Sequence, residues 1–239
     1  ATLLSALETQ VRTYLNEPVA SFWSSAELIA ILANGTKDMW GAIVDLHQEH
    51  YQTLDVASLA VAANTNVFTG VPTSLFRVLL IEPVDQTSTG PYRSLQFVPR
   101  DYNSIEAINA RAGGAQDAAT AGIIYYSVSQ AGAPVGAPTI HLSPTISSAI
   151  AAGAIRLLYI PTTTAVGSIV ASDANPIPGE SDMALIAYCV AFARAKERED
   201  GSPDPNWIAV YSTEKQSILT RLTPRQEQEP EVVPDLFGW

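Results

Sequence analysis

The stretch SDMALIAYCVAFARAKERED, Ser181–Asp200, decides the fold of this chain. Its apolar residues, Met183, Leu185, Ile186, Ala187, Val190, Ala191, Phe192 and Ala195, spread too widely for a single stripe. The pattern predicts a helix buried on most of its circumference in its first half. Ala184, Ala187, Ala191, Ala193 and Ala195 are small enough to let neighbouring helices approach closely. The second half turns polar: Arg194, Lys196, Glu197, Arg198, Glu199, Asp200. Pro176-Ile177-Pro178-Gly179 cannot be helix interior and Gly201-Ser202-Pro203 stops the helix, while Glu180 and Asp182 suit the positive end of its dipole. A helix buried on most sides requires other helices around it.

Three more are legible. Leu3, Leu4, Leu7, Val11, Tyr14 and Leu15 recur at helical spacing and predict a helix over 2–16. Ser24-Ser25-Ala26-Glu27 is a capping-box signature, serine oxygen to a free N–H and glutamate back to the cap. It opens a helix over about 25–50, which Gly35 and Gly41 weaken by ~1 kcal/mol each against alanine. A last helix over 206–222 carries Trp207, Val210, Tyr211, Ile218, Leu219 and Leu222. After Gln52 the period changes from 3.6 to 2. Strands are predicted at 59–61, 67–68, 77–82, 95–98, 122–129, 139–142 and 154–161. A short helix over 101–112 is predicted to turn Tyr102, Ile105 and Ile108 inward. Short connections make consecutive helices antiparallel neighbours. The predicted fold class is therefore α+β: an antiparallel four-helix core, with a β-rich domain inserted between its second and third helices. The boundaries are 1–55 and 175–223 for the helical core, 56–174 for the insertion, and 224–239 for an extended C-terminal arm. That arm, PRQEQEPEVVPDLFGW, ends in Leu236, Phe237 and Trp239, which either fold back on the core or dock on a partner.

Composition narrows the function. Hydrophobic content of 47% is ordinary for a globular chain of 239 residues, whereas charged content of 15% is low and fits a protein that hides surface in an assembly. The net charge of −11 argues against sequence-independent nucleic-acid binding, which rests on Lys and Arg neutralising phosphates. No apolar run reaches the ~18–20 residues of a membrane span, and the N-terminal residues read as an amphipathic helix without the basic start of a signal peptide. Cys189 is the only cysteine, so no intrachain disulfide is possible; its place on the apolar helix marks it as a small core residue.

Candidate chemistry is sparse. His47-Gln48-Glu49-His50 is the only tight histidine pair, but it is not His-Glu-x-x-His and no third ligand is signposted. Surface histidines at a helix end are the simpler reading. Gly-x-Ser-x-Gly, phosphate-loop and dinucleotide-binding patterns are all missing. Asp101 and Glu106 are a generic carboxylate pair. No catalytic residue, cofactor or metal is predicted.

The order of features carries more than any motif. Trp23, Glu27, Leu28 and Leu32-Ala33-Asn34 open the second helix; Val71-Pro72 and Leu75-Phe76-Arg77 follow in the insert, then Leu158-Tyr159-Ile160-Pro161. Pro176, Pro178, Glu180, Ala184, Leu185, Ala187 and Tyr188 open the third helix, and a Gly-Ser-Pro-Asp-Pro turn precedes the last. This ordering resembles the head-to-tail connector (adaptor or neck) proteins of tailed bacteriophages. The resemblance implies a non-enzymatic virion protein, assembled in the host cytoplasm. It implies a homo-oligomeric ring, a dodecamer, seated on the portal protein and extended by a stopper or tail-nozzle protein. DNA would pass through the lumen without specific binding. It also implies that the C-terminal arm reaches the portal, with Leu236, Phe237 and Trp239 as docking residues. Arg194, Lys196, Glu197 and Arg198 become candidate subunit contacts. The rival reading is a virion binding module, in which the β-rich insert recognises a carbohydrate or receptor and the helices oligomerise it. Exposed aromatics among Tyr92, Tyr102, Tyr125 and Tyr126 would favour the rival.

Overall fold

A computed structural model describes residues 2–84, 92, 94–130, 138–162, 170–175, 177 and 181–222. They divide into two compact units, one drawn from Ala1–His47 and Thr164–Trp239, the other from Gln48–Thr163.

The first unit holds α1 (Leu4–Tyr14), α2 (Ser25–Leu46), α4 (Asp182–Arg194) and α5 (Pro205–Leu222). α4 is the hub: α1, α2 and α5 all pack against it. Ala184, Leu185, Ile186, Ala187, Cys189, Val190, Ala191 and Ala193 are buried, so the broad apolar pattern is spent on three neighbours at once. Burying each large aliphatic side chain fully contributes about 1.5–3 kcal/mol. Gly35 explains how α2 comes so near: a Cβ there would stand 2.8 Å from the Tyr188 ring. The helix-weakening glycine is thus a packing residue. Phe192, Tyr188 and Tyr211 then stack in series, with ring centroids 4.4 and 5.1 Å apart.

Polar groups fix how α1 and α2 enter this unit. The α2 capping box forms: Glu27 N–H donates to Ser24 Oγ (3.2 Å), and Ser24 N–H donates to Glu27 Oε2 (2.9 Å). Arg12 is buried, and its guanidinium donates to Glu8 (2.9 Å), the Trp23 carbonyl (3.2 Å) and Ser25 Oγ (3.2 Å). Trp23 Nε1–H in turn donates to the Ala193 carbonyl at 3.0 Å, one of the orphan acceptors at the end of α4.

The described residues of the second unit form eight strands and one α-helix: β1 (Thr53–Asp55), β2 (Ala60–Val61), β3 (Thr65–Thr69), β4 (Leu75–Pro83), β5 (Gln96–Pro99), α3 (Ile105–Ala112), β6 (Ile123–Gln130), β7 (Pro138–Ile146) and β8 (Ile155–Pro161). They form a three-stranded sheet, β1-β8-β4, and a five-stranded sheet, β2-β3-β7-β6-β5. Both contribute to one core that includes Leu75, Ile81, Phe97, Ile124, Ile140, Leu142, Ile155 and Leu157. β7 alternates, with Pro138, Ile140, Leu142, Pro144 and Ile146 all buried, and only Ser143 breaks the pattern by being buried too. β5 and β6 pair in parallel, which requires a crossover, and α3 lies in it. Gly70 turns the chain at φ +73°, where a Cβ would collide with the Ser58 carbonyl.

Three expectations need correction. The predicted antiparallel four-helix core with one inserted β domain is not what the chain builds. The described residues form five α-helices and two sheets in a mixed α+β arrangement. Short connections identify consecutive helices but not how many partners each one has; α4 serves three. Likewise, alternating apolar residues identify strands but not where a sheet divides. α3 also faces the other way. Ile105 and Ile108 are 74% and 47% exposed and Tyr102 is 41% exposed, whereas Ala107 is buried. An eight-residue helix lying on β7 and β6 approaches closely only through a small residue, so alanine outcompetes the larger apolar side chains for that face. Finally, α2 stops at Leu46, short of the predicted 50, and the following residues form a 3-10 turn, Gln48–Tyr51, and β1.

Candidate functional site

The polar end of α4 is a junction. Arg194 donates to Asp204 (3.2 Å) at the start of α5 and to the Tyr14 carbonyl (3.2 Å) at the end of α1. Lys196 lies in the 3-10 turn Ala195–Glu197 that prolongs α4. It donates to Glu27 Oε1 and the Phe22 carbonyl, both at 3.0 Å, and lies 4.7 Å from the centre of the Phe22 ring. Arg198 pairs with Asp200 at 3.3 Å. Hydrogen bonds from the Ser24 backbone first, then from Lys196 and the Ser24 side chain, lower the Glu27 carboxyl from its ordinary 4.5 to about 2. Asp200 is held at about 2 by the Ser202 backbone and hydroxyl and by Arg198.

Of the four residues predicted as subunit contacts, two are therefore committed within the chain. Arg194 and Lys196 tie α1, α2, α4 and α5 together, while Glu197 and Arg198 are exposed. Beside them runs an open groove of about 350 Å³, lined by Trp23, Ala30, Ile31, Phe192 and Lys196. Large apolar side chains are exposed in the connection before α2: Val19 is 75% exposed, and Phe22, although Lys196 lies over its ring, is 49% exposed. Their positions cannot be read from helical periodicity, because Val19 and Phe22 lie in the connection between α1 and α2. The predicted docking residues Leu236, Phe237 and Trp239 lie outside the described residues, as do Pro176, Pro178 and Glu180.

Titratable groups elsewhere are held in structural roles. Cys189 is fully buried with Sγ 3.6 Å from the Leu28 carbonyl, and burial pushes its thiol up to about 12. His47 corrects the surface-histidine reading. It is buried, and its Nε2 lies 3.1 Å from the Leu219 carbonyl, one of the last four of α5. Asp38 accepts from the Tyr211 hydroxyl and from Lys215 Nζ at 2.6 Å. Burial opposes the charge on Asp38, but these two hydrogen bonds outweigh it and hold the carboxyl below its usual range. Burial first, then Asp38, drives the Tyr211 hydroxyl upward. Among the described residues no three His, Cys, Asp or Glu side chains converge as a metal site, and no helix is long and apolar enough to cross a membrane. Asp101 and Glu106 are both exposed, and Glu106 sits in the first turn of α3, where the dipole favours it.

In the second unit the tyrosines do not form a platform. Tyr126 is buried in the core while its neighbour Tyr125 turns to the other face, as strand alternation requires. Tyr92 packs against the core. Tyr102 is exposed, but the Arg111 guanidinium covers its ring at 4.1 Å and His141 meets its edge at 5.5 Å. What sequence reasoning missed is a cleft of about 540 Å³ where β4 meets the end of β5, flanked by Arg77 and Arg100. Its only signal in the sequence is that arginines are scarce in so acidic a chain.

Among curated proteins no sequence matches the chain. The family model described as SU10 adaptor protein matches residues 2–234, nearly the whole chain and both units. A match of that extent places the chain in the SU10 adaptor protein family, as a structural adaptor protein of a bacteriophage particle.

Proposed function

We propose that this protein forms a homo-oligomeric ring, a dodecamer, that joins the portal to a stopper or tail-nozzle protein and lines the DNA channel. The observation that carries the reading is the family match across residues 2–234. The net charge of −11 supports a lumen through which DNA slides, because a lysine-poor wall offers the phosphates few partners. The exposed Phe22 and Phe192, which flank Lys196, support a subunit contact at the end of α4, where Glu197 and Arg198 are also exposed: an apolar patch rimmed by charge is the composition of an interface. The segment 224–239 is the arm that reaches the portal, with Leu236, Phe237 and Trp239 as its anchors.

The test is to mix purified protein with purified portal and image the product by negative-stain microscopy. A ring coaxial with the portal is the expected outcome. Protein that stays apart from the portal at every ratio and salt concentration overturns the reading. Truncation before Pro224 is expected to abolish docking while circular dichroism stays that of the full chain; unchanged docking removes the arm from the proposal. The rival carbohydrate or receptor reading has no structural support of its own, since Tyr126 is buried and Tyr102 is covered.

A further inference from the structure

β4 and β5 are the edge strands of their two sheets and lie alongside one another. β4 pairs only with β8 and β5 only with β6, so among the described residues no backbone ladder joins the two facing edges. Two openings mark the seam between them. One, of about 240 Å³, lies between the second half of β4 and most of β5; the larger, of about 540 Å³, lies where Phe76–Val78 face Pro99–Asp101. The larger falls within the roughly 300–1,000 Å³ range of ligand clefts. β4 is nine residues long and leaves Phe76 and Leu80 41% and 42% exposed, an apolar edge that proteins normally cover. Register shifts at Phe76 and Leu79 break it into short pieces, which discourages broad sheet-to-sheet pairing but not the addition of one short strand.

Charge supplies the second observation. The chain has only 13 Lys and Arg against 24 Asp and Glu, and nearly every other arginine side chain described is spent on a carboxylate or a carbonyl of another segment. Arg77 and Arg100 stand apart. Arg77 lies 5.6 Å from the Phe76 ring centre, and Arg100 donates to the adjacent Pro99 carbonyl at 3.1 Å. Neither forms an ion pair with any described residue. Asp101 lines the same cleft but pairs with neither. Two arginines without acidic partners on one cleft of so acidic a protein are placed to meet anionic groups from outside.

We propose that the wider opening of the β4–β5 seam, where Phe76–Val78 face Pro99–Asp101, receives a short extended acidic segment of a partner polypeptide as an added strand. The guest's backbone completes the free edge, its carboxylates meet Arg77 and Arg100, and its apolar side chains cover Phe76 and Leu80. A polypeptide fits better than a nucleic acid. A strand edge offers both N–H donors and C=O acceptors, which another peptide backbone matches in kind, whereas phosphates only accept. The seam belongs to the second unit alone, so this inference stands whether or not the ring reading does.

The test uses the full chain and a fluorescein-labelled ten-residue peptide, (Glu-Val)5, followed by fluorescence anisotropy. Saturable binding that weakens with added sodium chloride is expected. The double variant Arg77→Glu/Arg100→Glu is expected to lose about tenfold or more in affinity and to gain binding of (Lys-Val)5. The same (Glu-Val)5 peptide N-methylated at alternate residues cannot complete a ladder and is expected to lose a similar factor. Circular dichroism checks that the variant keeps its fold, and Arg77→Gln and Arg100→Gln singly give smaller graded losses. Absence of (Glu-Val)5 binding overturns the proposal. So does equal affinity for the N-methylated peptide, equal affinity of the wild type for (Lys-Val)5, or tighter binding of the oligonucleotide dT10 with the same arginine dependence. None of these measurements reads portal docking, so failure here and failure of the adaptor reading are distinguishable.

Discussion

The helical unit pairs the cations at its helix junctions internally, whereas the β-rich unit, which pairs Arg156 with Glu82, leaves two arginines beside an open strand edge. Around α4, Arg12, Arg194, Lys196 and Lys215 each reach an acidic partner and stitch one helix to another or to the turn before it. In the β-rich unit, Arg77 and Arg100 meet no carboxylate among the described residues, α3 presents Ile105 and Ile108 outward, and β4 leaves an edge open. A unit whose polar groups are satisfied internally is built to be rigid. One that leaves unpaired arginines beside an unladdered edge is built to be completed from outside. The difference predicts that substitutions in the first unit act on stability, whereas the same kinds of substitution on the β4–β5 seam act on association.

The largest effect is expected at Arg12. Arg12→Met removes the cation from a buried pair with Glu8 and orphans the Trp23 carbonyl, so urea denaturation should report a loss of roughly 3–5 kcal/mol. Leu185→Ala, on the fully buried side of α4, is expected to cost about 2–5 kcal/mol by the same measurement. A loss below about 1 kcal/mol at both positions would show that α4 is not the hub. Gly35→Ala follows. The added methyl meets the Tyr188 ring, and overpacking of about 1–3 kcal/mol outweighs the ~1 kcal/mol gained in helix propensity. Combining it with Tyr188→Leu should restore part of the loss, a non-additivity that identifies the contact as the cause.

Those residues differ in how far the sequence discloses them. The hub helix is legible because breadth of apolar pattern is a local property, and Ser24 with Glu27 is legible because a capping box lies within four residues. Arg12 is not. It reads as a polar position on an amphipathic helix, and its burial depends on Trp23 and Ser25 arriving from the next connection. Gly35 reads as a weakness until Tyr188, remote in sequence, supplies the ring that needs the space. In the β-rich unit the strand segments are visible from their period of two, but the split into two sheets is set by which non-local edges meet. β1, only three residues long, leaves no period at all. α3 is legible as a helix, but neither its start after the Ser104 cap nor its orientation is, because periodicity ranks side chains by hydrophobicity and the sheet selects by size. The seam arginines are a product of the same non-local pairing.

Acid should act on the helical unit through its lowered carboxyls. Glu27 falls from 4.5 to about 2 in the folded state, so its contribution is fully present above its ordinary value and is lost as pH falls toward 2. Asp38 is also lowered, so its contribution has the same sign. Thermal melts of the wild type are therefore expected to fall in Tm as the pH drops below about 4.5. Glu27→Gln should flatten that decline, since the amide cannot titrate, while lowering Tm at pH 7. Tyr211→Phe, which removes one donor to Asp38, should cost about 0.5–1.5 kcal/mol at neutral pH. An undiminished acid slope in Glu27→Gln would show that the capping box does not carry the charge linkage.

The smallest expected change in stability is the most informative for assembly. Arg198 is exposed and, among the described residues, pairs only with Asp200, two residues away in the turn before α5. Exposed pairs of this kind contribute little, because solvent screens them and the ordered side chains lose entropy. Arg198→Glu with Glu197→Lys exchanges the signs at the rim of the Phe22–Phe192 patch without touching Arg194 or Lys196, which hold the helices together. Tm should be unchanged within error. If this end of α4 meets a neighbouring copy, sedimentation of the protein mixed with portal should show fewer assembled rings, with the loss growing as salt is lowered. If ring yield and Tm are both unchanged, the charged end of α4 belongs wholly to the fold of one chain, and the apolar groove of Trp23, Ile31 and Phe192 becomes the place to substitute next.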